Sequence, residues 1–356
     1  MSPLAERDFK RILLIKPSSP GDIIHALPVL HGLRRRYPAA HIAWLVATPF
    51  AELIETDPAL NEVIPFDRKR FGFLGRSLRV TGEFITFLRQ LRAKQFDLVI
   101  DLQGLFRSGF LARASGAKTR IGFAAAREMA WVFYTDKIPN GDPDAHAADK
   151  NYAVAAMLGF GDVPMDFTIH LTTQDRQVAM GLLSAAGIEQ SFAALVPGTR
   201  WETKRWPAER YGKLAGVIFE HHHMPSVLIG GSGDIPAADQ SVAASGGAAK
   251  NLCGKTTLRQ AAALIERASV VVTADSTPMH LAAVLNRPLV ALFGPTNPRR
   301  TGPYGRLTDV LRLDLDCSPC YFRKLSQCPY GHACMQDLSI ESVTAAAARR
   351  LIKASA

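Results

Sequence analysis

No apolar run in the 356-residue sequence approaches the roughly 18 residues that would cross a bilayer. ILLI, LVI and VVVT are all short, and the N-terminal Met-Ser-Pro-Leu-Ala-Glu-Arg lacks the apolar core of a secretory signal. The expectation is a cytoplasmic protein. Cysteine is scarce: five residues are too few for a disulfide scaffold at this length. There is no G-x-G-x-x-G turn, and the strand pattern over 42–47 does not end in a ribose-holding acid, which disfavours a nicotinamide or flavin oxidoreductase. Acidic residues are the minority, 32 against 42 Lys plus Arg, leaving a formal charge of +10. That excess points to an anionic partner, whether nucleic acid, membrane surface or phosphorylated small molecule.

What is present is the composition of a folded globular chain, 47% apolar and 21% charged, at a length that suits two domains. β-rich runs over 11–16, 41–47, 62–66, 96–103 and 119–123 alternate with helical patterns over 23–36, 84–94, 106–114 and 145–158. Residues 167–171 either continue this half or begin a crossing. The pattern restarts with strands over 193–197, 226–230, 270–274, 289–293 and 309–313 and helices over 208–222, 258–268 and 278–285. Such alternation predicts parallel sheets covered by helices, with ligands held just beyond the strand ends.

The loops at those ends carry the chemistry. Lys16-Pro-Ser-Ser-Pro-Gly-Asp22 offers hydroxyls and backbone N–H groups at a helix start, although Asp22 can equally be a helix-start carboxylate. Pro197-Gly-Thr-Arg-Trp-Glu-Thr-Lys-Arg-Trp-Pro207 brings Thr199, Arg200 and Lys204 together as an anion clamp, the alternative being a surface loop plugged by Trp201 and Trp206. Gly230-Gly-Ser-Gly-Asp234 allows close backbone approach, and Asp234 can accept from a sugar or base. Asp275, Ser276, Thr277 and His280 crowd one strand end, where the hydroxyls suit a diphosphate and His280 is either a ligand contact or a core histidine.

Together, Ser18-Ser19-Pro20-Gly21-Asp22 with His25, Leu27 and Pro28, Asp101-Leu-Gln-Gly104, Lys204-Arg-Trp-Pro207, Asp275-Ser276-Thr277 with His280, and Phe293-Gly-Pro-Thr296 resemble the glycosyltransferase family 9 heptosyltransferases, over residues 11–351. The resemblance implies a GT-B fold of two Rossmann-like domains with parallel sheets facing a central cleft. It divides the chain into an acceptor-binding domain (1–175), a nucleotide-sugar domain (176–338) and a helix (339–356) returning toward the first domain. It implies inverting transfer of heptose from ADP-heptose to the Kdo or heptose inner core of lipopolysaccharide, at the inner face of the inner membrane, with no cofactor required for catalysis. Asp22 is then the general base and Lys204 the diphosphate contact. Thr199, Arg200, Asp234, Thr256, Asp275, Ser276, Thr277 and His280 join Lys204 at the donor, while Ser18, Ser19, Gly21, His25, Arg68, Gln103 and Arg127 meet the acceptor. The alternatives are a GT-B transferase or epimerase for another nucleotide sugar and, from a different class, a basic nucleic-acid-binding protein.

Two features remain. Between Arg68 and Arg127 lie 13 basic residues against Glu83, Asp97 and Asp101, and the rest of the chain is balanced at 29 of each sign. The whole excess is therefore local. It reads as a docking face for an acidic glycolipid and an anionic membrane surface, against the alternative of solvated helix faces. Phe84 and Phe87 within it have the spacing of core packing, which weighs against nucleic acid. Cys317, Cys320, Cys328 and Cys334 form C-x2-C-x7-C-x5-C, a candidate structural zinc or iron site with His332 beside it. Buried thiols or a redox-labile pair are the alternatives. This segment resembles the second-heptose enzymes, whereas the Ser-Ser-Pro-Gly-Asp loop is closer to the first-heptose enzymes.

Overall fold

The alternating patterns resolve, in the computed structural model of the chain, into two six-stranded parallel sheets. The structure describes residues 4–355. The first sheet comprises β1 (Arg11–Ile15), β2 (His41–Ala47), β3 (Glu62–Phe66), β4 (Leu98–Asp101), β5 (Thr119–Phe123) and β6 (Asp136–Ile138), in the order β3-β2-β1-β4-β5-β6. The second comprises β7 (Ala193–Val196), β8 (Ser226–Leu228), β9 (Ala249–Asn251), β10 (Val270–Ala274), β11 (Leu289–Phe293) and β12 (Val310–Arg312), in the order β12-β11-β10-β7-β8-β9. Each is the doubly wound Rossmann order, in which the chain reverses direction beside its first strand. Those reversal points lie between β1 and β4 and between β7 and β10.

The central strands are β-branched or leucine-rich and buried along their length, as in β10 and β11. That pattern fits strands covered on both faces. Edge strands β6 and β9 have no counterpart in the sequence reading. Each has only three residues and carries charge (Asp136 and Lys137; Lys250), so no apolar run announces it. The helix expected over 84–94 begins earlier, at Leu78–Ala93, because the Ser77 hydroxyl accepts from the Val80 N–H and caps it. The helical pattern over 23–36 is two helices, Pro20–Ile24 and Leu27–Arg36. Residues 167–171 form no strand.

Contacts divide the chain between His170 and Leu171. A boundary after 175 would cut the helix Thr173–Ala185, whose Asp175 is bound by Arg259 at 2.7 Å within the second unit. In the same unit the closing helix Ile340–Ser355 buries Val343, Ala346 and Ala347 in a core shared with Trp206 and Val290. In the first unit Phe66, Phe71, Phe84, Phe87 and Phe110 interlock, with ring centroids 5.2–6.4 Å apart. The aromatics of the basic stretch are thus mostly core, and Phe73 and Phe106 are the exposed exceptions.

Candidate active site

In the first unit, the turn after β1 and the turn after β4 meet at the reversal point. Asp22 lies in the first turn of the helix Pro20–Ile24, where one carboxylate oxygen accepts from the Ser19 N–H at 2.8 Å and the Ser19 hydroxyl at 2.7 Å. Acid in a helix's first turn meets unpaired N–H groups, which orients it. Beside it, Arg68 donates to the Ser18 hydroxyl at 2.8 Å, and the Ser18 N–H reaches the Gln103 side-chain oxygen at 3.4 Å. Gly21 is buried within the same short helix, and His25, also buried, packs its ring edge-on against His146 at 4.9 Å. Ser18, Ser19, Gly21, Asp22, Arg68 and Gln103 are therefore drawn into one neighbourhood. Arg127 joins through its backbone, its N–H donating to the Gly104 carbonyl at 2.9 Å.

The floor of this half-site is Lys16, which the sequence reading did not assign. It is 8% exposed, and its ammonium donates to the Leu102 carbonyl at 2.7 Å. Burial pushes its pKa down, against the pull of Asp22 and Asp101, while Arg127 adds to the lowering. Asp101, wholly buried, is pushed up by burial although Tyr134, Ser108 and the Gln103 and Gly104 N–H groups all bond to it. The Tyr134 hydroxyl donates to Asp101 at 2.7 Å, and its own pKa is raised by burial and by that carboxylate. The Asp101-Leu-Gln-Gly104 motif is thus a buried clamp that fixes the turn carrying Gln103.

In the second unit, the turns after β7, β10 and β11 converge. The Lys204 ammonium lies 2.6 Å from the Asp275 carboxylate and 4.4 Å from the centre of the Trp201 ring. Thr296 donates to the same Asp275 oxygen at 2.7 Å. Asp275 is 6% exposed, so a positive partner and hydroxyl donor are what make its charge tolerable there. Ser276 precedes the helix Thr277–Val284 without a side-chain cap bond, its hydroxyl turned back to donate to the Ala274 carbonyl and to meet the Thr273 hydroxyl, each at 3.2 Å. Thr277 opens that helix, and His280 is buried on it. Thr199 is buried and Arg200 exposed on the Lys204 loop.

Asp234 sits over this loop. It accepts from the Gly231 N–H at 2.9 Å, and a Cβ on Gly198 would fall 2.1 Å from its carboxyl carbon, so only glycine admits the two turns side by side. Thr256 lies two residues past Gly254, whose N–H donates to the Gly230 carbonyl at 2.9 Å beside the Asp234 turn. It follows β9, the edge strand two positions from β7. Of the loop tryptophans, Trp206 is core, donating to the Leu338 carbonyl at 2.9 Å, and only Trp201 belongs to the site.

The cysteine-rich segment braces the Lys204 loop of the second unit. Glu202 N–H donates to the Arg323 carbonyl at 3.1 Å, Leu325 N–H returns to the Glu202 carboxylate at 3.1 Å, and His332 bonds the Thr203 carbonyl at 2.7 Å. On its other side Tyr321 N–H donates to the Pro295 carbonyl at 2.8 Å. The segment therefore holds both the Lys204 and the Thr296 loops. Cys334 packs so tightly on Gly294 that a Cβ there would lie 2.8 Å from its sulfur. Burial, with the other three cysteines nearby, pushes the Cys334 thiol up to about 11. Among the described residues no three of these sulfurs lie within 4.8 Å of one another.

Three residues escaped the sequence reading as members of the site. Lys16 is the last residue of an apolar strand run, Thr296 ends a motif of no evident chemistry, and Trp201 has its signal only in the Lys204 three positions on.

The model of the family described as glycosyltransferase family 9 (heptosyltransferase) matches residues 84–331. The chain is 32% identical over 314 residues to lipopolysaccharide heptosyltransferase 1 of Pseudomonas aeruginosa, covering 87% of this chain and 86% of that one. A glycosyl transferase family 9 structure from Veillonella parvula superposes with a TM-score of 0.83 at 26% identity, covering 98% and 99% of the two chains. The E. coli heptosyltransferase WaaC with ADP-2-deoxy-2-fluoro heptose gives a TM-score of 0.73 at 26% identity, with 97% and 100% covered. The two Rossmann units are accordingly a GT-B fold. The chain belongs to glycosyltransferase family 9 and is a transferase enzyme of the heptosyltransferase type.

Proposed function

We propose that the protein transfers heptose, with inversion, from ADP-heptose to the Kdo or heptose inner core of lipopolysaccharide. The observation that carries this reading is the Lys204–Asp275–Thr296 cluster at the reversal point of the second sheet. It supplies a fixed ammonium where a Rossmann unit receives a nucleotide, in a family whose WaaC member has been seen with an ADP-heptose analogue.

The Lys204 ammonium has three donors, and Asp275 takes one. The remaining two face the donor diphosphate, whose charge grows as the bond to the anomeric carbon breaks. Thr199, Ser276, Thr277 and Arg200 extend that anion site, Asp275 and His280 hold the donor sugar, and Asp234 and Thr256 bind more peripherally. In the first unit Asp22 takes the acceptor hydroxyl proton as that oxygen attacks the face opposite the departing ADP. A carboxylate is a weak base, so the proton moves only as the new C–O bond makes the hydroxyl acidic. Ser19 holds one Asp22 oxygen and leaves the other for this work. Ser18, Gly21, His25, Arg68, Gln103 and Arg127 orient the acidic acceptor.

The basic stretch extends the acceptor surface toward an anionic membrane. Phe73, Leu74 and Leu78 are 58%, 44% and 94% exposed amid Arg68, Lys69, Arg70, Arg76 and Arg79. Apolar side chains within a basic patch are the composition that seats on anionic lipid. This reading places the enzyme at the cytoplasmic face of the inner membrane.

The test is release of ADP from ADP-heptose in the presence of Kdo-lipid A or its monoheptosylated form. ADP release with one of these acceptors, and a rise in melting temperature with ADP but not UDP, are expected. No release with either acceptor removes the assignment.

A further inference from the structure

We propose that His31, Asp57 and His170 form a binding site for a divalent transition-metal ion of the zinc type, built from residues outside the proposed transfer site. One ligand atom from each lies within 4.8 Å of the others. His31 and Asp57 are 7% and 4% exposed, and His170 is half-buried.

The hydrogen bonds dictate what lies between the first two groups. Nδ1 of His31 is 2.7 Å from the Asp166 backbone oxygen, which can only accept, so Nδ1 carries a hydrogen. Nε2 of the same ring is 2.9 Å from the Asp57 carboxylate. A neutral ring with its hydrogen on Nδ1 would aim a bare lone pair at a buried carboxylate oxygen, which is repulsive. A positive bridge is therefore required, either a second proton or a metal ion. The Nδ1–H to carbonyl bond is the support that orients a metal-bound imidazole.

The surroundings add a third ligand to the pair, while the Asp166 carboxylate, 3.6 Å from Nδ1, steadies a positive ring of either kind. A proton bridge needs two groups, and this site has three. The second carboxylate oxygen of Asp57 is held by the Ala59 N–H at 2.9 Å, which fixes the other toward His31. Thr56, next to Asp57, donates its hydroxyl to the His170 carbonyl at 2.7 Å and so fastens His170 beside the pair. The two imidazoles meet edge-on, 6.4 Å between centroids at 88°. Arg35, the nearby cation, is paired with the Asp166 carboxylate at 3.0 Å. Two imidazoles and one carboxylate with a fourth position open are a zinc-type donor set. Tetrahedral ligands stand about 3.3 Å apart at ordinary zinc bond lengths, so the 2.9 Å contact opens by only a few tenths of an ångström.

The test titrates the full chain, stripped with a chelator, with Co2+ alone. The Cys317→Ser/Cys320→Ser variant serves as background, so that thiolate binding is recognised by its charge-transfer absorption. The expected result is one equivalent of Co2+ giving d–d bands without a thiolate band in that variant, with His170→Ala added to it weakening binding at least about tenfold. Zn2+ should raise the melting temperature of the Cys variant and not that of the variant also carrying His170→Ala. Asp57→Asn should lose Co2+ as well, and because it alters a buried pair, His170→Ala remains the variant that decides. Absence of d–d bands in the Cys variant, or bands unchanged by His170→Ala, overturns the site and leaves a proton between His31 and Asp57.

Discussion

The ammonium of Lys204 and the carboxylate of Asp275 stand 2.6 Å apart, one from the turn after β7 and the other from the end of β10. These strands are neighbours in the second sheet although β8 and β9 intervene in sequence. Removing the cation leaves a buried acid uncompensated and, on the proposed function, strips the diphosphate site. Lys204→Ala should therefore lower donor affinity and reduce kcat by about 10²–10³-fold. Steady-state kinetics of ADP release, with ADP binding followed separately, checks both effects. Unchanged values would take Lys204 out of the donor site.

Asp22→Asn keeps size and can still accept from the Ser19 N–H. It should cut turnover by about 10²–10⁴-fold while ADP-induced thermal stabilisation stays near that of the unaltered protein. Near-normal turnover would refute the role of base.

His332 bonds the Thr203 carbonyl next to Lys204, one of several contacts through which the cysteine-rich segment holds the Lys204 loop. His332→Ala should cost about 1–3 kcal/mol of stability and raise the donor KM more than it lowers kcat. A stability loss with kinetics untouched would mean that the brace does not reach Lys204.

Asp175 is held below the usual carboxylate range. Burial works upward, and the Thr172 hydroxyl and N–H with the Arg259 guanidinium more than reverse it. A carboxylate lowered on folding contributes stability that is full above its unfolded pKa of about 3.9 and is lost as pH falls through the folded value. Denaturant unfolding should thus show Asp175→Asn to be less stable by about 3 kcal/mol at neutral pH. The gap to the unaltered protein should close below about pH 4. A gap independent of pH would exclude this ion pair as its source.

Leu78 opens the helix Leu78–Ala93 and is 94% exposed, so replacing it should not disturb the core. Leu78→Asp should weaken binding to vesicles containing anionic lipid several-fold and leave kcat on a detergent-dispersed acceptor unchanged. Equal vesicle binding in sedimentation assays would remove this patch from the docking surface.

Much of this molecule is readable along the chain. The strands RILLI, HIAWLVA and LVALF are apolar runs of strand length, and the structure keeps them as β1, β2 and β11. Asp22 and Ser19 are three residues apart, so their bond belongs to one helical turn and needs nothing distant. The edge strands β6 and β9 were not readable, since three residues paired on one side carry neither length nor period.

The cysteine-rich segment shows the limit most clearly. Its spacing announces four thiols, and nothing along the chain announces that it bonds to Glu202, Thr203 and Pro295. Lys16 looks like the end of an apolar strand and becomes a buried cation only because the Leu102 carbonyl is brought over it. The amino-acid sequence by itself determined the two α/β units, the turns that carry hydroxyl and acid, and the local basic excess, because these depend on periodicity, capping and composition within a few residues. Tertiary structure alone decided that Thr296 and Lys204 share Asp275, that Arg68 meets Ser18, and that His31, Asp57 and His170 converge. A parallel sheet whose order reverses at its centre sets residues from remote turns side by side, and no spacing along the chain encodes which ones.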